Sequence, residues 1–141
     1  MRRPGSPDRD PEAQHLRGAC GLPAGDRTVE HQKLDAYNLA LEFVPRAHAV
    51  AGGFARGLGD LADQLRRAST SIALNIAEGA GEYAPKDKAK FYRFAKRSAA
   101  ECAAIIEIAG KLDPALTAEE ERKQLERLTA MLIRLTRSCE S

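Results

Sequence analysis

The sequence lacks long apolar runs, and its cysteines are few and scattered. No stretch approaches the 18 or more apolar residues of a membrane span, and the first thirty residues contain no apolar segment typical of a secretory signal. The three cysteines, Cys20, Cys102 and Cys139, are odd in number and show no CxxC spacing, so neither a disulfide framework nor a zinc site is indicated. These absences favour a cytoplasmic protein without a membrane segment.

Aromatic residues and net charge are also low. Aromatic residues form 5% of the chain, tryptophan is absent, and the formal net charge is only +2. A charge this small does not by itself indicate a nucleic-acid-binding protein, so any electrostatic argument depends on how the charges are distributed. The length of 141 residues, 43% of them apolar, fits one domain with a modest core.

The first part of the chain has the composition of a disordered polar tail, which we assign to residues 1–28. Residues 1–26 hold four of the seven prolines, several glycines and charges of both signs, and they offer almost nothing to bury. Because carboxylates offset the arginines there, this segment is not a basic arm for nucleic acid.

Residues 29–139 show helical periodicity and predict four helices. The predicted helices span about residues 31–51, 58–79, 85–112 and 117–139. In the first helix, apolar residues at alternating steps of three and four predict a buried stripe formed by Leu34, Tyr37, Leu41, Val44 and His48. Pro45 is expected to kink or loosen this helix near its middle.

Glycine, proline and a capping box mark the predicted helix ends. Gly79 and Gly81 close the second helix, and Pro85 suits the first turn of the third. Thr117 and Glu120 form a T-x-x-E capping box at the start of the fourth. No segment shows the period of two typical of a strand. The predicted fold class is therefore all-α, an antiparallel up-down-up-down four-helix bundle, left-handed, with neighbouring helices crossing at about 20°.

Several apolar residues fall outside the predicted buried stripes. They are Leu39, Phe43, Val50, Leu74, Ala100, Ala103, Ala104 and Ile108. Scattered apolar residues are common on protein surfaces, and this is one interpretation of the pattern. We prefer a subunit interface, because an apolar patch on the outside of a small domain is a usual mark of self-association.

A basic segment opens the third predicted helix. Residues 82–97 contain two anions and six cations, namely Lys86, Lys88, Lys90, Arg93, Lys96 and Arg97. Cations at helical spacing can neutralise successive phosphates and release condensed counterions, which favours binding to nucleic acid. Phe91 and Phe94 fall on the predicted core stripe, which leaves Tyr83 and Tyr92 as candidates for stacking. For one isolated subunit, a solvated cationic face is the alternative.

The sequence offers no assembled catalytic or metal-binding constellation. His15, His31 and His48 have no ligand or base partner at a useful spacing. The glycines of residues 52–59 follow no strand and lack the G-K-[ST] of a phosphate-binding loop. We therefore expect a non-enzymatic protein with no catalytic residue, no metal and no cofactor.

One polar cluster flanks the predicted core. Asn75 and Glu78 lie three residues apart on the second helix, and Glu101 occupies a flanking position near Arg97 on the third. We interpret them as an ion-pair and amide network that fixes helix register. A functional pocket is the alternative, which the lack of a nearby nucleophile disfavours.

Two segments carry a family resemblance. The run QLRRASTSIALNIAEGAGE at residues 64–82, followed by FYRFAKRSAAECAAIIEIAGKL at residues 91–112, resembles the small four-helix-bundle family first known from proteins encoded in intervening sequences of bacterial large-subunit ribosomal RNA genes. The similarity covers about residues 33–137. Its most specific part is formed by Arg66, Arg67, Ser71, Ile72, Asn75, Ile76, Ala77, Glu78 and Gly79.

The resemblance implies an antiparallel bundle that assembles as a homopentameric ring. A similar fold occurs in accessory proteins of diversity-generating retroelements, whose basic surfaces engage nucleic acid and the reverse transcriptase. By this analogy the candidates for contact with RNA or DNA are Arg66, Arg67, Arg93, Lys96 and Arg97, and the basic segment adds Lys86 and Lys90. The residues that match polar positions typical of the family are Asn75, Glu78, Ser98 and Glu101. A structural or protein-interaction ring without nucleic-acid affinity is the alternative function.

Overall fold

The computed structural model describes residues 24–140, with side chains from Val29 onward. Its four helices are α1 (Ala24–Gly52), α2 (Gly59–Gly81), α3 (Pro85–Leu112) and α4 (Glu119–Glu140). These described residues contain no strand, so the prediction of an all-α fold is confirmed for them. Helix α1 begins at Ala24, earlier than the predicted residue 31, and the rest of the predicted tail, residues 1–23, lies outside the described residues.

Each helix packs against two others around a shared core. Helix α2 contacts α1 and α3, and α4 contacts α3 and α1. This arrangement is a four-helix bundle whose core lies where the four buried faces meet. Within the described part of the chain, no helix is long and apolar enough to cross a membrane.

The buried face of α1 differs from the predicted one. Leu34 and Leu41 of the predicted stripe are 56% and 46% exposed, and His48 is also exposed. The residues that enter the core instead are Ala36, Leu39, Ala40, Phe43 and Ala47. Both stripes follow the same helical spacing, but the alanines let the neighbouring helices approach α1 closely around the Phe43 ring. The prediction that Leu39 and Phe43 lie off the core face is therefore wrong.

Apolar residues at steps of three and four also predict a buried stripe on each of the other three helices, and these stripes are largely confirmed. The buried members include Leu65, Ile72, Ile76, Ala95, Cys102, Ile105, Ala109, Leu125, Leu128, Leu132 and Leu135. Four residues of the predicted stripe on the third helix depart from the prediction. Phe91, Phe94 and Ser98 are only half-buried, and Leu112 is 61% exposed. Leu74, Ala100, Ala103, Ala104 and Ile108 are exposed, as predicted.

The helix ends agree only in part with the predicted signals. Pro85 occupies the first turn of α3, as expected. Helix α1 continues through Pro45 as one helix. Thr117 and Glu120 form no side-chain hydrogen bond, so the predicted capping box is absent, and α4 begins at Glu119. The Arg122 N–H donates to the Ala118 carbonyl oxygen, 3.0 Å away, as an ordinary helical backbone bond at the start of α4.

Gly79 allows α2 and α3 to approach closely. A Cβ atom at this position would lie 2.7 Å from Cε1 of Tyr92, well inside van der Waals contact. Tyr92 is therefore packed directly against the α2 backbone and is fully buried. Helix α2 does end near this glycine, at Gly81, but Gly79 itself provides space for an aromatic ring.

Candidate functional site

The N-terminal half of α3 presents a cationic outer face. Its exposed cations are Lys86, Lys90, Arg93, Lys96 and Arg97. Lys86, Lys90, Arg93 and Arg97 follow one another at steps of four, three and four, which places them on one side of the helix. We call this set of five residues the cationic face. Asp87 is the one acidic residue within this stretch of α3, and it is exposed as well.

Lys88 does not belong to the cationic face. Its side chain is half-buried, and Nζ donates to the carbonyl oxygens of Gly79 and Ala80 at distances of 3.4 and 3.3 Å. These carbonyls are at the C-terminal end of α2, where helical carbonyl oxygens lack partners within the helix. Lys88 therefore caps α2.

Two half-buried phenylalanines lie among the cations of α3. The rings of Phe91 and Phe94 pack edge to face, with centroids 5.9 Å apart. Lys90 Nζ is 5.1 Å from the Phe91 centroid, and the Arg97 guanidinium carbon is 5.5 Å from the Phe94 centroid. Each ring thus has a cation over it, in the geometry of a cation–π contact.

The aromatic residues of this surface differ from those predicted. The sequence predicts that the Tyr92 ring is available for a nucleic-acid base to stack on, but this ring is fully buried against Gly79. Tyr83, in the link between α2 and α3, is 99% exposed and fits the prediction. Phe91 and Phe94 were assigned to the core, yet both remain partly accessible. Phe91, Tyr92 and Phe94 are close in sequence and point in different directions around α3. Helical periodicity alone therefore does not determine which of the three rings is buried.

Arg93 is held by an ion pair across the bundle. Its Nη1 donates to Oε2 of Glu140 on α4, and both side chains are about half exposed. Exposed pairs of this kind contribute about 0–1 kcal/mol, so a phosphate can compete with the carboxylate. Arg93 nevertheless has to leave Glu140 before it can contact another anion.

Arg66 and Arg67 do not join the cationic face. Arg66 is half-buried and pairs with Asp63, with Nη1 3.0 Å from Oδ1, whereas Arg67 is exposed. Along α2, Gly79 lies beside Tyr92 and Ser71 beside Ser98. Arg67 therefore lies beyond the Ser71–Ser98 contact, away from the end where α3 carries its first lysines.

The polar residues expected to form a network are only partly brought together. Asn75 Nδ2 donates to the carbonyl oxygen and to Oγ of Ser71, at 2.9 and 3.0 Å. Oγ of Ser71 in turn lies 2.9 Å from Oγ of Ser98, which links α2 to α3. Glu78 and Glu101 are exposed and form no ion pair. The amide part of the predicted network is present, and the ion pair is absent.

The comparison with protein families decides what kind of bundle this is. The family model described as 23S rRNA-intervening sequence protein matches residues 32–137. The chain belongs to this family. The matched range includes both the cationic face and the Asn75–Ser71–Ser98 chain, so these features lie within the part that this intervening sequence protein shares with its family. No curated protein matches the chain.

Groups able to carry catalysis are scarce in the described part of this intervening sequence protein. No three histidine, cysteine or acidic side chains among residues 24–140 are placed to hold a metal ion. Burial raises the pKa of Cys102 to about 12, so its thiol stays protonated at neutral pH. His31 and His48 are exposed, while His15 and Cys20 lie outside the described residues.

Asn75→Ala tests the hydrogen-bonded chain between α2 and α3. The substitution removes both side-chain bonds to Ser71, and we expect a loss of about 1 kcal/mol in the free energy of unfolding, measured by urea denaturation. Glu78→Gln is the matched control, since it changes an exposed residue on the same helix and is expected to stay within about 0.5 kcal/mol of wild type. Equal stability of wild type and Asn75→Ala would contradict this role.

Proposed function

We propose that this member of the family is a non-enzymatic, self-assembling antiparallel bundle that binds RNA or DNA through the cationic face of α3. The observation that carries the proposal is five exposed cations beside two half-buried phenylalanines on one helix. The ligand class follows from this chemistry, because a polyanion with flat bases can use both kinds of group.

The electrostatic contribution supports binding that does not depend on base sequence. Cations at intervals of three and four residues can each neutralise a phosphate and release a condensed counterion. The phenylalanines add partly accessible aromatic surface beside the cations, and stacking of a base on an aromatic ring tolerates any base. Phosphate contacts of this kind fix a protein on the backbone of a nucleic acid and carry no sequence information directly.

Exposed apolar residues support self-assembly. Leu34 and Leu41 of α1 and Leu74 of α2 are each about half exposed or more. Leu34 lines a groove of about 630 Å³ between α1 and α2, and Leu74 lines another groove of about 550 Å³ between the same two helices. Apolar side chains on the outside of a small domain favour association with another chain. The family resemblance implies five copies.

A binding assay at several salt concentrations tests the proposal. Fluorescence anisotropy with a generic single-stranded RNA should show affinity that falls steeply as KCl rises. Five phosphate contacts predict a slope of log K against log salt of about −3.5 per subunit. Absence of binding at about 50 mM KCl, or a slope near zero, would refute binding through the cationic face.

The alternative is an assembly that binds protein partners and has no affinity for nucleic acid. The exposed leucines Leu34, Leu41 and Leu74 support contact with a different protein as well as contact with a second copy of this chain. Light scattering measures the number of subunits independently of RNA binding, because each added subunit contributes 15.3 kDa. A particle of several subunits that fails to bind RNA would support this alternative, whereas a monomer would refute self-assembly.

A further inference from the structure

A second group of cations lies at the end of the bundle where α2 ends and α3 begins. Lys88 of α3 donates two hydrogen bonds to the last carbonyls of α2. Lys33 of α1 reaches the same region; its side chain is only 16% exposed, and its Nζ lies 3.1 Å from Oε2 of Glu30. Burial lowers the pKa of Lys88, and the neighbouring Lys33 ammonium lowers it further. The Lys33 and Lys88 ammonium groups are therefore close enough to interact, and the Glu30 carboxylate pairs with Lys33.

Tyr92 adds an unused polar group to this region. The residue is fully buried, and its hydroxyl has no hydrogen-bond partner among the described residues. Its ring lies against Gly79, whose carbonyl oxygen accepts from Lys88. Glu30 and Cys139 act electrostatically on both Tyr92 and Lys88, so these two side chains share their surroundings. A buried hydroxyl without a partner costs free energy, which a ligand that accepts its proton would recover.

Lys33, Lys88 and Tyr92 have hydrogen-bond donors that no acceptor among the described residues uses. An ammonium group has three N–H donors. Lys88 uses two on the carbonyls of α2 and Lys33 uses one on Glu30, so donors remain on both lysines and on the Tyr92 hydroxyl. Glu30 is 65% exposed and can turn toward solvent. An anion with several oxygens and two negative charges would accept these remaining hydrogen bonds and balance the two ammonium charges.

We propose that Lys33, Lys88 and Tyr92 form a binding site for a phosphate group, either inorganic phosphate or the terminal phosphate of a nucleotide. A phosphate dianion matches the two ammonium charges and has oxygens for all the unused donors. A groove of about 630 Å³ lined by Glu30, Lys33 and Ala80 opens beside Lys33, and Lys88 approaches its edge through the hydrogen bond to the Ala80 carbonyl oxygen. The Glu30 carboxylate pairs with Lys33 and therefore competes with the phosphate for this ammonium group. The site is separate from the cationic face and does not depend on nucleic-acid binding.

Inorganic phosphate added to the full-length chain is the direct test. We expect phosphate to raise the melting temperature with saturation, compared with KCl of equal ionic strength. Lys88→Met and Lys33→Met should each weaken phosphate binding more than tenfold, whereas the control Lys111→Met, an exposed lysine at the other end of α3, should bind as wild type does. Equal saturating rises in wild type and in the folded Lys33 or Lys88 variants would overturn the site, and so would no rise in wild type.

Two further variants separate a binding site from a general response to salt. Glu30→Gln removes the competing carboxylate and should tighten phosphate binding. Tyr92→Phe should weaken phosphate binding without lowering the melting temperature in phosphate-free buffer, because the hydroxyl has no partner to lose. Weaker binding in Glu30→Gln, or unchanged binding in Tyr92→Phe, would contradict the arrangement proposed.

The source of the phosphate is decided by competition. A nucleoside 5′-monophosphate that displaces inorganic phosphate, while the nucleoside alone does not, would assign the site to a terminal phosphate. Failure of the monophosphate to compete would assign it to free phosphate. Both results support the site, and neither depends on whether the cationic face binds RNA.

Discussion

Replacing Lys90, Arg93 and Arg97 together by alanine is expected to weaken RNA binding about 100-fold at ~0.1 M salt. All three side chains are exposed on the outer side of α3. Each phosphate contact contributes about 0.7 to the salt slope for a single strand, so losing three lowers the slope by about 2. Because counterion release contributes nothing near 1 M salt, that change in slope corresponds to about two powers of ten at ~0.1 M.

The loss should be the same for unrelated RNA sequences. Phosphate contacts carry no direct sequence information, and counterion release contributes equally for every base sequence. Arg93 should contribute less than the other two, since binding competes with its ion pair to Glu140. Comparing the single variants of Lys90 and Arg93 in the same anisotropy assay would show this difference.

A control with the same change in net charge is available on α4. Lys123, Arg127 and Arg134 are exposed there, and Glu126 lies among them. Replacing these three by alanine should leave RNA affinity within a few-fold of wild type. If both triple variants lose affinity equally, the net charge of the molecule governs binding, and the assignment to the cationic face is wrong.

The cations of the site could be predicted from sequence, whereas the aromatic residues could not. Lysine and arginine at helical spacing reach solvent on almost any helix, so the sequence is enough to predict that Lys86, Lys90 and Arg97 are exposed. Phe91, Tyr92 and Phe94 span three directions around α3, and the buried one is decided by where Gly79 leaves room for a ring. A glycine on one helix opposite an aromatic on another is a tertiary feature, and periodicity within α3 does not contain it.

Helical periodicity predicts the all-α fold class, but it selects the wrong buried face on α1. On α2, α3 and α4 one stripe is clearly more apolar than the rest, and most of its residues are buried. Helix α1 has two stripes, one rich in leucine and one built from alanine around Phe43. Ranking by side-chain hydrophobicity selects the leucines, but close packing of helices favours the small residues. Leu34 and Leu41 of the bulkier stripe therefore remain exposed, while Tyr37 and Val44 pack only partly against the core.

Phe43→Ala is expected to be among the most destabilising single substitutions in α1. The side chain is fully buried among the core residues of the bundle, and removing an aromatic ring from such a site costs about 3–5 kcal/mol. Leu41→Ala, two residues away and 46% exposed, is the matched control and should cost less than about 1 kcal/mol in a dilute sample. Urea denaturation of both variants measures the two values.

The same pair of variants also connects the fold to self-assembly. If the exposed stripe of α1 is covered by another chain, the cost of Leu41→Ala should grow with protein concentration, because association stabilises only the assembled wild type. The cost of Phe43→Ala should not change in this way, since its ring packs within one chain. A Leu41→Ala penalty as large as that of Phe43→Ala at every concentration would instead place Leu41 in the core of the single bundle, and the buried face described for α1 would be wrong.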